Sequence, residues 1–325
     1  RLSADRPRRA GLVRDDDGLL QRPLQRGREW ARGEIGDAAR RKRNDEGDRA
    51  DGIGLVGGDT TGDDAEQALE RVRAAEPPPV EGEQVDPYVA ELILGTHGNL
   101  YKHLSGGLTR YPIPDFPLQR GSGQLLLDIG CNWGRWTIAA AQKGYRPIGI
   151  DPSFEAIVAA RRIARQLGVD DARYVVADAR RLPLADRTFD VVFSYGVLQH
   201  FSKSDVAVAV DEIARVVADD GYSWVQMPNA LGALNVVRLA QRGFREGDEF
   251  EVRYWKPAEL RRVFGRIGPT ELSTDGFFTL NPQKRDLDLL PTAFRAVVHV
   301  SETLKRLHAP TTVADSVNVR SVPRR

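Results

Sequence analysis

The densest chemistry in the sequence lies at Leu125–Gly134 (LLLDIGCNWG), where an apolar run ends in Asp128 and a loop holding Gly130, Cys131, Asn132 and Gly134. Glycine lets a backbone come close to a ligand. A helix start, expected at Arg135, offers unpaired N–H groups to a carboxylate or phosphate. Asp151 closes the next apolar run, 21 positions beyond Gly130, and is followed by Pro152 and Ser153. A carboxylate there can accept from both hydroxyls of a ribose. Asp178 and Ala179 follow a third run, where the acid can accept from an adenine amino group. Ser194 and Tyr195 end a fourth, with Gln199 and His200 just beyond. His200 is the candidate general base. Asp128, Gly130, Cys131, Asn132, Gly134, Asp151, Pro152, Ser153, Asp178, Ala179, Ser194 and Tyr195 are the candidate contacts to the ligand of this loop; Gln199, Asn229, Tyr254 and Trp255 are candidate contacts to a second substrate, a role also open to Tyr195.

Each of these residues also has a plainer role open to it. Asp151 could cap the helix expected at Ser153–Leu167. Asp178 could shape a turn, and His200 could brace its loop. Cys131 reads as a small buried side chain rather than a nucleophile. Trp133 and Trp136 could contact a ligand or pack the first helix.

The elements that must position these residues alternate. Strands are expected at Leu125–Ile129, Arg146–Ile150, Arg173–Ala177, Asp190–Ser194 and Tyr222–Met227. Helices are expected at Arg135–Lys143, Ser153–Leu167 and Val206–Val217, with Gly144, Gly168 and Gly221 after them. Strands separated by helices of this length imply crossovers and a parallel sheet covered on both faces, a doubly wound, Rossmann-like α/β fold. Ligands in such a sheet sit at the carboxyl ends of the strands, where every residue named above falls.

The chain from Leu125 to Met227 resembles class I methyltransferases, closest to the branch that includes ubiquinone and menaquinone biosynthesis enzymes. The resemblance rests on LDIGCNWG at 127–134, GID at 149–151, ADARRLPLADRTFDVVFS at 177–194 and DEIARVVADDG at 211–221. It implies S-adenosyl-L-methionine as cofactor, with Gly130 and Gly134 at its methionine end, Asp151 on the ribose, and Asp178 with Ala179 on the adenine. Asp128 would fix the loop. The chain departs from the pattern at Asn132, where relatives carry glycine, and asparagine tolerates left-handed backbone better than other residues.

The fold implied is a seven-stranded sheet, mostly parallel, with an antiparallel last strand. Glu271–Phe278 and Thr312–Val322 are the expected sixth and seventh strands, with a helix at Pro257–Ile267. The reaction implied is methyl transfer to an O, N or C atom of a small-molecule acceptor by in-line displacement. After the fourth strand the chain reads Ser194-Tyr195-Gly196-Val197, without the Asn/Asp-Pro-Pro-Tyr of enzymes that methylate adenine or glutamine amino groups. A nucleotide-dependent dehydrogenase would carry Gly-x-Gly-x-x-Gly, whereas the spacing here is Gly-x-x-x-Gly. A non-catalytic protein of the same fold that binds the same cofactor is the other alternative, supported by Asn132 alone.

Composition bounds the rest. The 325 residues carry a net charge of +1, which favours neither a nucleic-acid nor an anionic-membrane partner. One cysteine excludes a disulfide framework and a multi-cysteine zinc site within the chain, and no metal is expected. No apolar run reaches the length of a membrane span. The opening residues lack the apolar core of a secretory signal, and Asp15, Asp16 and Asp17 argue against a transit peptide, so the expected compartment is the cytoplasm. Residue 1 is Arg rather than Met, so the true start is expected to have been lost, trimmed or misassigned.

Residues 1–85 are polar and aperiodic and read as a largely disordered tail, with a short helix near Asp64–Ala75 and a solvated basic run at Arg40–Arg43. Residues 86–325 read as the methyltransferase domain, with a core at about 122–227. A helix or two is expected over Pro87–Leu104. That segment and two insertions, 228–256 and 281–310, the latter with a helix at Thr292–Leu307, are expected to form a lid over the acceptor. Phe277 and Phe278 are further candidates for its walls.

Overall fold

The computed structural model describes residues 53–55, 84–96, 104, 107–248, 250–278 and 284–324. The expected helix at Asp64–Ala75, the basic run at Arg40–Arg43 and residues 97–103 of the expected Pro87–Leu104 helix lie outside them.

Seven strands form the central sheet: β1 Leu125–Ile129, β2 Arg146–Asp151, β3 Arg173–Val176, β4 Phe189–Ser194, β5 Val217–Pro228, β6 Thr270–Gly276 and β7 Ser316–Ser321. Their spatial order is β3-β2-β1-β4-β5-β7-β6. The first five pair in parallel, and β7 runs antiparallel to both β5 and β6. An eighth strand, Ile53–Leu55, adds in parallel to the outer edge of β3. It falls within the stretch expected to be a disordered tail. An edge strand presents a row of unpaired backbone groups, and three residues suffice to cover that of β3.

Helices α1 Pro87–Thr96, α2 Arg135–Gln142, α3 Phe154–Gln166, α4 Lys203–Val216, α5 Ala233–Gln241, α6 Pro257–Phe264 and α7 Thr292–Arg306 flank the sheet. Alternation along the strands makes two cores. Leu126, Val191, Phe193 and Trp224 face one layer with Val89 and Ile93 of α1, Trp136 of α2, Ile157 of α3 and Val298 of α7. Leu127, Ile129, Val192 and Val225 face the other with Val210 of α4 and Leu260 and Phe264 of α6. Period-two burial on both faces is what near-continuous apolar strands require.

Boundaries moved by a few residues, and one shift is structural. β5 begins at Val217 rather than Tyr222, because Phe189 pairs with Val217 while Val191 pairs with Tyr222. The polar residues between them bulge out of register, adding local twist.

One long-range tie fixes the start of the domain. Asp86 and Arg162, both buried, form an ion pair in which Arg162 Nε donates to Asp86 Oδ2 at 2.7 Å. The backbone N–H of Tyr88 donates to Asp86 Oδ1 at 3.0 Å. Tyr111 Oη accepts from Asp86 N at 2.8 Å and donates to Gln166 Oε1 at 2.5 Å. This cluster holds α1 against α3.

Candidate functional site

The carboxyl ends of β1, β2, β3 and β4 meet around the glycine loop. Its backbone is pinned to β2, since the N–H groups of Gly130 and Cys131 both donate to Ile150 O at 2.8 Å. It is pinned to α2 by Asp128, whose Oδ2 accepts from Thr137 Oγ1 at 2.6 Å. Burial pushes the Asp128 carboxyl up to about 7, against the Thr137 bond that holds it down. Cys131 is buried, and burial drives its thiol well above the usual value. It fills the space beneath Gly149, where an added methyl would stand 2.9 Å from its sulfur. That is a packing role, not a nucleophile's.

Gly130 and Gly134 have φ of 73° and 83°, the left-handed region that favours glycine. A methyl on Gly130 would meet both Val197 methyls at 2.4 Å. Gly168 also has positive φ (63°), yet nothing stands within 4 Å of its added methyl. Gly168→Ala should therefore cost only the backbone penalty, about 1–2 kcal/mol. Gly130→Ala should cost at least about 1 kcal/mol more from overpacking. Urea unfolding of the two variants compares them directly.

Asn132 takes the left-handed conformation expected of it, with φ 47°. Its Oδ1 accepts from Trp133 N at 2.7 Å, and its own N–H donates to Asp151 Oδ2 at 3.0 Å. Asp151 Oδ1 accepts from Ser153 N at 2.9 Å. The cap of α3 is Ser153, whose Oγ accepts from Ala156 N at 3.2 Å. Asp151 is thus not spent as the helix cap, and Pro152 lies exposed between the two. Burial raises the Asp151 carboxyl to about 6, against the pull of its two backbone N–H partners.

Asp178 is gripped by Arg180, which donates from Nη2 to Oδ2 at 2.5 Å and from Nε to Oδ1 at 3.0 Å. Its neighbour Ala179 is buried. Arg180 also approaches Asp205 at 3.5 Å and lies 6.0 Å from the Phe201 ring. A ligand amino group at Asp178 would share the carboxylate with this guanidinium. Ser194 is fully buried, and its Oγ donates to Ile129 O at 3.0 Å, which ties the end of β4 to β1.

His200 has both ring nitrogens engaged. Nδ1 lies 2.7 Å from Phe250 O, a carbonyl that can only accept, so Nδ1 carries the proton. Nε2 then accepts from Gln199 Nε2 at 3.1 Å. The ring stacks on Phe250 at 4.2 Å. Burial lowers its pKa to about 4, and nearby Arg253 adds to the effect against the Phe250 bond. The imidazole is therefore neutral and a weak base. Arg253 donates from its backbone N–H to Gln199 O and from Nη1 to His200 O, both at 2.8 Å. Residues 250–253 thereby lie on the loop that follows β4.

The candidate acceptor contacts do not converge. Asn229 is fully buried, with Nδ2 donating to Ala314 O at 2.8 Å and Thr312 O at 3.0 Å. It belongs to a knot in which Asp315 Oδ1 accepts from Leu234 N at 2.8 Å and Asn235 N at 3.0 Å. Asp315 Oδ2 accepts from Phe278 N at 2.7 Å. Trp255 packs in the core with Leu260 and Phe264, and Tyr254 is buried beside Arg242, 6.0 Å from its guanidinium.

Tyr195 instead meets Trp136 and two residues outside the sequence candidates, Trp224 and Asp275. Its ring lies 4.5 Å from Trp136 and 6.4 Å from Trp224, and its hydroxyl donates to Asp275 Oδ2 at 3.0 Å. Ser316 and Gln226 extend this network along β7 and β5. The available signal was the period-two polar residues Ser316, Asn318 and Arg320 of β7, which give one face of that strand a polar edge.

The family model described as a methyltransferase domain matches residues 126–221, the span from β1 to the bulge in β5. A search of curated proteins finds no match. Among solved structures, the chain is similar to the YcgJ protein of Bacillus subtilis, at 20% identity over 63% of this chain and 93% of that one, with a TM-score of 0.44. A methyltransferase from Methanosarcina mazei aligns at 18% identity over 63% of this chain and 95% of its own, TM-score 0.44. Magnesium protoporphyrin IX methyltransferase from Synechocystis, solved with S-adenosylhomocysteine bound, aligns at 16% identity over 79% and 95%, TM-score 0.44. No described helix is long and apolar enough to cross a membrane. The matched segment, residues 126–221, is similar to a methyltransferase domain.

Proposed function

We propose that this chain transfers a methyl group from S-adenosylmethionine to a small-molecule acceptor. The observation that carries the proposal is the loop from Gly130 to Gly134, closed onto Asp151 by the Asn132 N–H. A Cβ on Gly130 would meet Val197 and one on Gly134 would meet Ala160 and Tyr174, so glycine at both positions is what lets the loop hold this conformation. Asp151 retains acceptor capacity on both oxygens beyond its two backbone partners.

Gly130 and Gly134 would hold the methionine end, Asp151 the ribose hydroxyls, and Asp178 with Ala179 the adenine. The cofactor supplies a methyl on a sulfonium, a leaving group that needs no protein acid. The protein's tasks are alignment and exclusion of water. Trp136, Phe193 and Trp224 make the wall beside the loop apolar. His200 serves here as a strut that seats residues 250–253 over the end of β4. The described parts of 228–256 and 281–310 form the lid. Support comes from the Arg253–Gln199 bond and from Leu290 and Val298, which pack in one cluster with Trp136.

The test follows from Asp151. Ribose hydroxyls donate to the carboxylate, so binding favours the ionised form. Because the free carboxyl titrates at about 6, affinity should be level above pH 7. It should fall up to about tenfold per unit below pH 6 as protons compete. Calorimetric titration with S-adenosylmethionine at pH 5 and pH 8 reads this, and equal affinity at the two values would remove Asp151 from the ribose.

A further inference from the structure

Asp275, at the end of β6, is the hub of a polar cluster that the cofactor does not need. Its Oδ2 accepts from Tyr195 Oη at 3.0 Å and from Ser316 Oγ at 2.8 Å. Asn318 hydrogen-bonds the same carboxyl. These bonds set the direction of every other one. Ser316 gives its proton to Asp275, so its oxygen accepts from Gln226 Nε2 at 2.5 Å. Gln226 must then turn Oε1 the other way, and Asn318, whose amide donates, must turn Oδ1 away. Both oxygens are buried with no hydrogen-bond partner, in side chains only 1% and 8% exposed.

An unsatisfied buried polar atom costs about 1–3 kcal/mol and is uncommon. Two of them fall on cross-strand neighbours of β5 and β7 and leave acceptor capacity for hydrogen-bond donors. The place adjoins the chemistry. Gln226 Oε1 would lie 3.9 Å from a methyl built on Gly196, the residue after Tyr195 at the tip of β4. Tyr195, its proton committed to Asp275, adds a third oxygen that can only accept. Its ring is held beside those of Trp136 and Trp224.

We propose that Tyr195, Gln226 and Asn318 form the subsite for the methyl acceptor, and that the group bound there is an amine. The proposal rests on the methyltransferase reading above. Three oxygens with acceptor capacity match a neutral amino group, which brings two donors where a hydroxyl brings one and keeps its lone pair for the methyl. Asp275 is a positioning residue that holds the three as acceptors. The other charged group facing it is Lys305 of α7, whose Nζ is paired with Glu302 at 2.9 Å.

The probes are benzylamine and benzoate, similar in size and opposite in head group, titrated calorimetrically into protein saturated with S-adenosylhomocysteine. The S-adenosylhomocysteine titration comes first, so a failure of the cofactor assignment is seen separately from a failure of the subsite. Benzylamine should bind and benzoate should not. Gln226→Leu should weaken benzylamine about fivefold or more, the worth of one hydrogen bond, with S-adenosylhomocysteine affinity unchanged. Gln226→Glu should strengthen it. Asp275→Asn places a donor at the hub, so it should reverse the Ser316–Gln226 bond and move the benzylamine-to-benzoate preference about tenfold toward benzoate. A fall in stability with no change in that preference would mean a merely structural cluster and would overturn the proposal. So would failure of benzylamine to bind the loaded protein, or tighter binding of benzoate.

Discussion

Asp151→Ala should weaken S-adenosylmethionine binding by about two to four orders of magnitude while leaving the protein folded. Two ribose hydroxyls bound to one carboxylate are charge-assisted bonds, each worth about 1.5–3 kcal/mol. Their sum, about 3–6 kcal/mol, converts to that range of affinity. The folded state should tolerate the change because α3 is capped by Ser153, not by Asp151. The carboxyl also sits in an environment that lifts it to about 6, so removing it relieves a buried charge. The loss of the Asn132 and Ser153 N–H acceptors acts in the opposite direction. Asp151→Asn separates the terms, since its amide oxygen keeps one acceptor site without the charge and should bind at an intermediate affinity. Calorimetric titration at pH 8 measures all three proteins, with circular dichroism confirming the fold.

The second large effect concerns stability. Arg162→Ala should destabilise the domain by about 3–5 kcal/mol, because it strands the Asp86 carboxylate in a buried site with one backbone N–H for company. For a domain of this size that amounts to a fall in Tm of about 6–20 °C. Asp86→Ala should cost a similar amount for the converse reason. The double variant Asp86→Leu with Arg162→Met should recover most of the loss, since replacing both charges with apolar groups leaves nothing unpaired. Thermal unfolding of the wild type, Asp86→Leu, Arg162→Met and the double variant closes the cycle. Additive losses in the double variant would show that the pair does not act as a unit.

What was legible in the sequence follows from distance along the chain. The glycine loop, Asp151 and the FDVVFS strand show themselves because local spacing sets their geometry, and the strands they end are nearly continuous apolar runs. Asn132 could be placed in left-handed backbone from residue type alone. The Asp86–Arg162 pair spans 76 positions and the Gln226–Ser316 bond spans 90, and no local pattern joins such residues. Asp275, Ser316 and Asn318 looked like ordinary polar positions of edge strands until β7 inserted between β5 and β6. The edge strand Ile53–Leu55 was hidden because a polar surrounding masked a three-residue segment whose partner is an exposed backbone edge.

His200 shows the opposite failure. It lies just past β4 as the sequence implies, while the groups that engage it, Phe250 and Arg253, are about fifty residues away. Asn229 and Trp255 are candidate acceptor contacts in the sequence. They lie at the right end of the sheet, yet each is taken up by packing or backbone bonds once the Asp315 knot and the α6 core are in place.

The central claim is that the loop and Asp151 hold S-adenosylmethionine. Calorimetric titration of the purified chain with S-adenosylmethionine, and separately with NADH, tests it most directly. One-to-one binding of S-adenosylmethionine with no heat from NADH is the predicted result. Binding of NADH in its place, or of neither compound, would contradict it.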